Sequence, residues 1–500
     1  MAKKETNLTY LQVPLPSAIK KAKMVKKSWS GYNRRQTVDT GMLAVENNVS
    51  TAETPYFTPC EKAVSVSYGG GYTSSDNSVP IGIFGFTDFF IVIYGNKTDK
   101  KILIDYVKVD DKGKCSVYTE TLKTDATDDD FKQQRCVVPF NVYDITTDPV
   151  EGEYIKKLLI FPDKLSINYD VANDGFEKGA LINTPDIKYA TVHLSRLFGV
   201  DDVRVYASAF NDYANWNLDT AEEYNESNAW CSSSGANVKA GGEFTGITTF
   251  QNHVICFKKD FMHEIYNTKN PFRIQDIYAE GCIDNRTIQD VDGQLIFVSD
   301  DNVKVYTGSN PRILSYYLGI REFNDAVAGT DGRNYYLYCR DENNEKHIFV
   351  YDTYCNQWSR RECPSGVVGF AKCDSGMYFL CESSSKCLYK IQSGNYDEDW
   401  YFETDLITNE SCNIKHIEKL QMFCDIEEGA TMKVSFIYDD ETEKHTVWNI
   451  AYASEDMQKV IRVKPRMTAC HGFKIRVEGS GFVRIRTMEL LIQGGGDLYV

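Results

Sequence analysis

Residues able to do chemistry are plentiful in this chain, so spacing has to decide which of them count. Acidic groups cluster at Asp128-Asp129-Asp130, at Asp290-Val291-Asp292-Gly293 and at Asp300-Asp301-Asn302. The second cluster opens like a calcium loop but lacks the later ligands and the closing Glu, so it reads as an Asp-Gly hairpin turn. The third reads as a hairpin tip and the first as a solvated loop. Seven histidines are scattered without metal-ligand spacing. His263-Glu264 does not continue into His-Glu-x-x-His, and Gly95-Asn96-Lys97-Thr98 lacks the glycine-rich half of a phosphate loop. No Gly-x-Ser-x-Gly elbow occurs. A glycosidase needs two carboxylates placed across a cleft, and nothing in the sequence singles out such a pair. The expectation is therefore no catalytic residue, no cofactor or cofactor-binding residue, no metal ligand, and no enzymatic activity.

The fifteen cysteines are an odd number without a Cys-x-x-Cys pair. Several sit inside apolar runs, as in Val254-Ile255-Cys256-Phe257, where a reduced thiol behaves as a small hydrophobe. The other charged cluster is basic. Residues 1–35 hold nine Lys/Arg against one Glu, or +8, which leaves −24 on the remainder of a chain whose net charge is −16. Lys20, Lys21, Lys23, Lys26, Lys27, Arg34 and Arg35 are the candidate partner-docking residues of this segment. Pro14 and Pro16 make an extended start, and Ser17 is a candidate cap for a short helix over Ala18–Lys27. The start has no apolar signal segment, and the run Phe89–Tyr94 is too short to span a bilayer.

The elements that position these residues are strands. Tyr (32), Phe (26) and β-branched residues are abundant, which favours sheet over helix. Val254–Phe257 with Phe261–Tyr266, and Gln294–Ser299 with Val303–Tyr306, are two tandem runs joined by short polar turns, the signal of a β-hairpin. The unit recurs at Phe86–Tyr94 with Lys101–Val109, Tyr154–Phe161 with Leu165–Tyr169, and Ala190–Phe198 with Val203–Ala207. It returns at Tyr335–Cys339 with His347–Tyr351 and at Gly376–Cys381 with Cys387–Ile391. The last four units lie about 40 residues apart, the spacing of four-stranded propeller blades. Trp216 and Trp358, each following a strand end and a turn, are expected to pack between blades. From about Tyr401 the pattern changes to a compact set of runs, and Lys474–Val477 and Val483–Arg486 alternate apolar with basic, as in an antiparallel sandwich. The fold class expected is all-β: an N-terminal docking arm over residues 1–55, a β-propeller of six to eight blades over 56–400, and a C-terminal β-sandwich over 401–500. Asp219–Gly242 is expected to be a long surface loop.

The order of these features resembles the β-propeller tail proteins of tailed bacteriophages, the group of tail nozzle, tail hub and head-completion proteins. Trp29-Ser30-Gly31-Tyr32-Asn33 and Glu46-Asn47-Asn48-Val49 carry the resemblance near the start. Ser195-Arg196-Leu197-Phe198-Gly199 leading to Val205-Tyr206-Ala207-Ser208 and Trp216 carries it further, as does Phe257-Lys258-Lys259-Asp260 leading to Glu264-Ile265-Tyr266. The last pieces are Gly281-Cys282, Val291–Ser299 and Val305-Tyr306-Thr307-Gly308. The resemblance covers residues 29–400, and the lysine-rich start and the Asp219–Gly242 insertion have no counterpart in it. It implies a structural protein of the virion tail, assembled in the bacterial host cytoplasm. Copies would form a homo-oligomeric ring of six around the channel through which DNA is ejected, touching neighbouring tail, portal or adaptor proteins. An acidic wall would let DNA pass without specific binding, because it gains no counterion release from the phosphates. The competing classes are a propeller glycan depolymerase of sialidase type, whose Asp-box turns are missing here, and a receptor-binding tail protein using the C-terminal domain.

Overall fold

Six of the seven hairpins named above are the middle of a four-stranded antiparallel sheet, and in the seventh the run Ala190–Phe198 divides between the first and second strands of its sheet, Tyr189–His193 and Arg196–Val200. The computed structural model describes residues 21–26, 43–53, 55–67, 77–110, 114–144, 153–168, 178–218, 225–232, 242–382, 387–408, 414–439, 441–451, 458–465 and 469–494. Blade 1 runs through Ser78–Gly85, Phe89–Asn96, Lys101–Val109 and Cys115–Lys123. Blade 2 uses Cys136–Asp144, Glu153–Phe161, Leu165–Asn168 and Lys178–Ala180, and blade 3 uses Tyr189–His193, Arg196–Val200, Val205–Ala207 and Trp230–Cys231. Blade 4 is Phe244–Phe250, His253–Lys258, Met262–Tyr266 and Arg273–Ile277; blade 5 is Gln289–Val291, Gln294–Val298, Val303–Tyr306 and Arg312–Ile313. Blade 6 is Asn324–Thr330, Asn334–Arg340, Lys346–Asp352 and Gln357–Arg361. Blade 7 has Val367–Cys373, Gly376–Cys381 and Leu388–Lys390, and takes its fourth strand, Val64–Ser65, from the other end of the chain.

The second strands read as unbroken apolar runs because both of their faces are buried. In blade 2, Leu158 and Ile160 face Ile91 and Ile93 of blade 1, whereas Leu159 and Phe161 pack with Leu197 of blade 3. The same alternation continues through blades 3 and 4, 4 and 5, 5 and 6, and 6 and 7. The run of interfaces returns to its start: Tyr378 and Leu380 of blade 7 share a cluster with Phe90 and Val92 of blade 1. The fold is thus an all-β propeller, with seven sheets and seven apolar interfaces. Trp358 lies in the interface of blades 5 and 6, where its Nε1 donates to the Leu314 carbonyl at 2.9 Å. Trp216 packs against the interface of blades 2 and 3.

Two further sheets form the sandwich. One has the order Lys21–Lys26, Val483–Gly494, Lys415–Ile426, Gln458–Val463; the other runs Leu43–Asn47, Trp400–Thr404, Phe473–Ser480, Thr431–Tyr438, His445–Ala451. Their inner faces meet in one cluster that includes Trp400, Phe402, Met422, Phe436 and Ile485. Along Phe473–Ser480 buried and half-buried residues alternate, the mark of a sheet with one wet face.

The N-terminal segment departs from expectation. The helix expected over Ala18–Lys27 is instead the edge strand Lys21–Lys26, paired antiparallel from Lys21 opposite Gln493 to Lys26 opposite Met488. A lysine-rich stretch has little intrinsic reason to stay helical alone, and an open sheet edge satisfies its backbone groups at once. Leu43–Asn47, inside the segment expected to be an arm, pairs with Trp400–Thr404, and Phe57 packs between Trp400 and Phe402 with ring centroids 5.4 and 4.4 Å away. The solvated loop expected at Asp128-Asp129-Asp130 is instead the start of a one-turn helix, Asp128–Lys132, begun by a Thr127–Asp130 capping box. At the Asp-Gly turn, Asp292 and Gly293 have φ of 51° and 71°, the geometry of a primed hairpin turn. Most of the Asp219–Gly242 insertion and the Trp29–Asn33 motif lie outside the described residues.

Candidate functional site

Of the seven candidate docking residues, Lys21, Lys23 and Lys26 stand on the edge strand of the sandwich. Lys20, Lys27, Arg34 and Arg35 lie outside the described residues. The structure therefore brings three of them onto one strand and leaves their joint surface unassigned.

A second location emerges where residues 49–61 cross from the sandwich to the propeller. It is a cavity of about 510 Å³ bounded by that segment, by blades 6 and 7, and by Phe482 of the sandwich. Its floor is ionic. Arg333, in the first turn of blade 6, forks onto the buried Asp352 at 2.6 and 3.2 Å and lies 5.2 Å from the ring of the exposed Tyr354. Asp352 also accepts the Thr51 hydroxyl at 3.2 Å and the Tyr354 N–H at 2.9 Å. Burial pushes the Asp352 carboxyl up, but Arg333 and the N–H groups of Tyr354 and Cys355 outweigh it and hold it below the ordinary value. Lys372 of blade 7 bonds the Asp331 carbonyl across the blade boundary. At the sandwich side, Arg484 forks onto Glu53 and reaches Asp425 at 3.3 Å. Every charge named here has an opposite charge or a carbonyl as partner, and the contacts of Thr51 with Asp352 and of Glu53 with Arg484 join residues 49–61 to blade 6 and to the sandwich.

Beside the cavity lies a latch made by the motif Glu46-Asn47-Asn48-Val49. Asn48 takes a positive φ of 56°, donates through Nδ2 to the Asp399 carbonyl at 2.8 Å, and accepts the Glu362 N–H at 2.8 Å. Its own N–H donates to the Arg360 carbonyl at 3.0 Å. Glu46 is fully buried; Oε1 accepts the Arg360 N–H at 3.0 Å, and Oε2 finds no partner among the described residues. Burial pushes this carboxyl from 4.5 up to about 8, against the lowering effect of the Arg360 backbone and side chain. Sequence reasoning quoted these residues as a motif without assigning them a task. The signal was a polar Glu-Asn-Asn run, which closes the strand Leu43–Asn47 and marks backbone pairing only once its distant partner is known.

Two other groupings escaped the sequence. Asp341, Glu345 and His347 bring ligand atoms within 4.8 Å of one another across the turn of blade 6, although no metal-ligand spacing was expected. Asp341 is already occupied: Oδ1 accepts the N–H groups of Asn343 and Glu345 at 2.9 Å each, and Oδ2 meets His347 Nε2 at 3.0 Å. That is the bonding of an Asx turn. In blade 3, the buried Arg196 donates to the carbonyls of Ser208, Glu226 and Asn228 at 2.6–2.8 Å, fastening the outer loop to the blade. The Ser195-Arg196 motif is accounted for by this structural grip. The fourteen cysteines among the described residues are all free, and burial raises the thiols of Cys60 and Cys136 to about 11. Among the described residues no helix is long and apolar enough to cross a membrane.

No protein-family model matches the sequence, and no curated protein matches it. Solved structures do. YCF48 bound to D1 peptide is similar at 8% identity and a TM-score of 0.39, over 69% of this chain and 97% of that one. A glycoside hydrolase family 43 arabinoxylan arabinofuranohydrolase from Bacillus subtilis is similar at 8% identity and 0.23, over 87% and 99%. Trypanosoma rangeli sialidase is similar at 7% identity and 0.25, over 90% and 95%. The expectation of a chain without enzymatic activity is corrected here, because enzymes stand among the structures of similar fold. At these identities the likeness concerns the fold alone and transfers no reaction.

Proposed function

We propose that this chain is a structural protein of a tailed-bacteriophage virion. In this reading, copies form a ring of six in the tail, at the nozzle or hub, around the channel that DNA crosses. The observation that carries the reading is the uneven charge along the chain. Residues 1–35 carry +8, and residues 36–500 carry −24. A basic segment steered onto acidic neighbours fixes register between like copies, while acidic bodies around a channel leave DNA free to slide. The Glu-Asn-Asn-Val latch and the blade motifs shared with the resembling family act here as backbone fasteners, which suits a load-carrying part.

Two measurements test the proposal. Electron microscopy of the purified full-length chain is expected to show rings with an axial opening. Mass spectrometry of purified particles is expected to find the chain at a fixed ratio to the portal. A chain absent from particles, or one that stays monomeric at every concentration tried, overturns the reading.

A further inference from the structure

We propose that each copy docks the basic outer face of one sandwich sheet, at Val460, Arg462 and Lys464, onto the acidic turns over blades 4 to 6 of the next copy. The proposal rests on the ring proposed above and names one of its contacts.

The donating face belongs to the sheet of Lys21–Lys26, Val483–Gly494, Lys415–Ile426 and Gln458–Val463. These strands hold nine Lys/Arg against three Asp/Glu, in a chain whose net charge is −16. Arg484 and Arg486 are matched by Glu53 and Asp425. Lys419, Arg462 and Lys464 have no partner among the described residues. Gln458–Val463 is the outermost strand of its sheet, and it alternates. Ile461 and Val463 lie in the core, whereas Val460, Arg462 and Lys464 are exposed. Val460 stands opposite Phe423, and Arg462 opposite Gln421, so an apolar pair is flanked by free cations. The same edge on another copy is a poor partner for it, since like charges would face each other. A different, acidic surface is the favoured one, and such a head-to-tail contact is the kind that closes into a ring.

The propeller supplies that surface. Residues 56–400 carry −17. Over residues 259–260, 300–301, 321–322 and 341–346, seven Asp/Glu stand against three Lys/Arg. Lys259 is already paired with Asp300 at 3.0 Å, and Asp301 has no partner among the described residues. A cavity of about 600 Å³ opens there, lined by Asp300, Asp301, Arg321 and Glu322 over the buried Phe323, which gives a protruding edge a seat. The face is out of reach of the copy's own sandwich. In blade 6 the strand Asn334–Arg340 has Arg333, at the joint with the sandwich, before one end, and the acidic turn Asp341–Glu345 after the other. Seven strand residues separate the two by about 23 Å.

The test reverses charge in the full chain. Arg462→Glu with Lys464→Glu alters the donating face, and Asp301→Lys with Glu322→Lys alters the accepting one. All four side chains are exposed, and circular dichroism checks that each variant melts like wild type. Native mass at physiological salt is expected to show rings for wild type and monomers for either variant alone. Mixed in equal amounts, the two variants are expected to form rings again, with both chains in equal number, because reversed faces then meet each other and unaltered faces do the same. Normal rings from either variant alone overturn the contact, and so does a mixture that stays monomeric. Should a reversal unfold the chain, Arg462→Ala with Lys464→Ala carries the test. It is expected to raise the concentration for half-assembly about tenfold, and an unchanged concentration overturns the contact. Wild type that forms no oligomer overturns the ring proposal, and this contact with it.

Discussion

Glu46 is the residue whose chemistry the fold has altered most plainly. A carboxyl with no exposure, one oxygen bonded and the other without a partner, is stable when protonated and costly when charged. Its folded pKa, about 8, stands above the ordinary 4.5. The folded state therefore binds the proton more tightly than the unfolded chain does. Its contribution is fully present below about pH 4.5 and is lost as pH rises towards about 8. The upper bound across that window is roughly 5 kcal/mol at 1.36 kcal/mol per unit. Glu46→Gln keeps an acceptor for the Arg360 N–H and removes the titration. Denaturant unfolding at pH 5 and pH 9 is expected to show wild type losing stability at the higher pH and the variant holding level. Parallel losses in both proteins would show that Glu46 ionises freely. The Arg360 Nε also finds no partner among the described residues, so an ion pair formed by a small rotation is the competing outcome.

At the scale of elements, the seven hairpins were legible because their cause is local. A strand buried on both faces must be apolar throughout, and a two-residue turn such as Asp292-Gly293 needs residues that accept positive φ. The outer strands were not legible. Trp230–Cys231 and Arg312–Ile313 have two residues each, too few to show any period. Val64–Ser65 joins blade 7 from more than three hundred residues away, and Leu43–Asn47 closes a sheet built from the C-terminal part of the chain. The candidate site was hidden for the same reason, since Thr51, Arg333 and Asp352 meet only after both long-range pairings form. Trp358 shows what an interblade contact is worth. It is buried between blades 5 and 6 with its Nε1 bonded to Leu314. Trp358→Ala is expected to cost about 3–5 kcal/mol in denaturant unfolding, and Trp358→Phe about 1 kcal/mol more than its lost volume alone. An alanine variant within 1 kcal/mol of wild type would mean that the interface closes over the gap.

For the whole molecule, residues 43–67 are the thread that touches both propeller and sandwich. Leu43, Val49 and Phe57 belong to the sandwich core, Asn48 bonds blade 6, and Val64–Ser65 completes blade 7. The thread also bonds to itself, the Cys60 N–H donating to the Asn48 carbonyl at 2.8 Å, and the Lys62 N–H ties it to the Asn395 carbonyl at 2.6 Å. Two truncations separate this thread from the basic segment ahead of it. Among the described residues, removing residues 1–27 takes away only the edge strand of one sheet, and the product is expected to stay folded, with a melting temperature close to that of the full chain, while losing ring assembly. Removing residues 1–67 also removes Phe57, whose aromatic bulk alone is worth about 3–5 kcal/mol. Leu43, Val49 and the fourth strand of blade 7 go with it. Their combined loss matches the whole stability of an ordinary domain, about 5–15 kcal/mol. The longer truncation is therefore expected to be insoluble or to show no cooperative melt in circular dichroism. A residue 68–500 chain that melts like the full protein would mean that propeller and sandwich fold separately, with the thread as a passenger. A residue 28–500 chain that still forms normal rings would place the ring contacts in the acidic bodies, and the basic segment would lose its proposed role in docking.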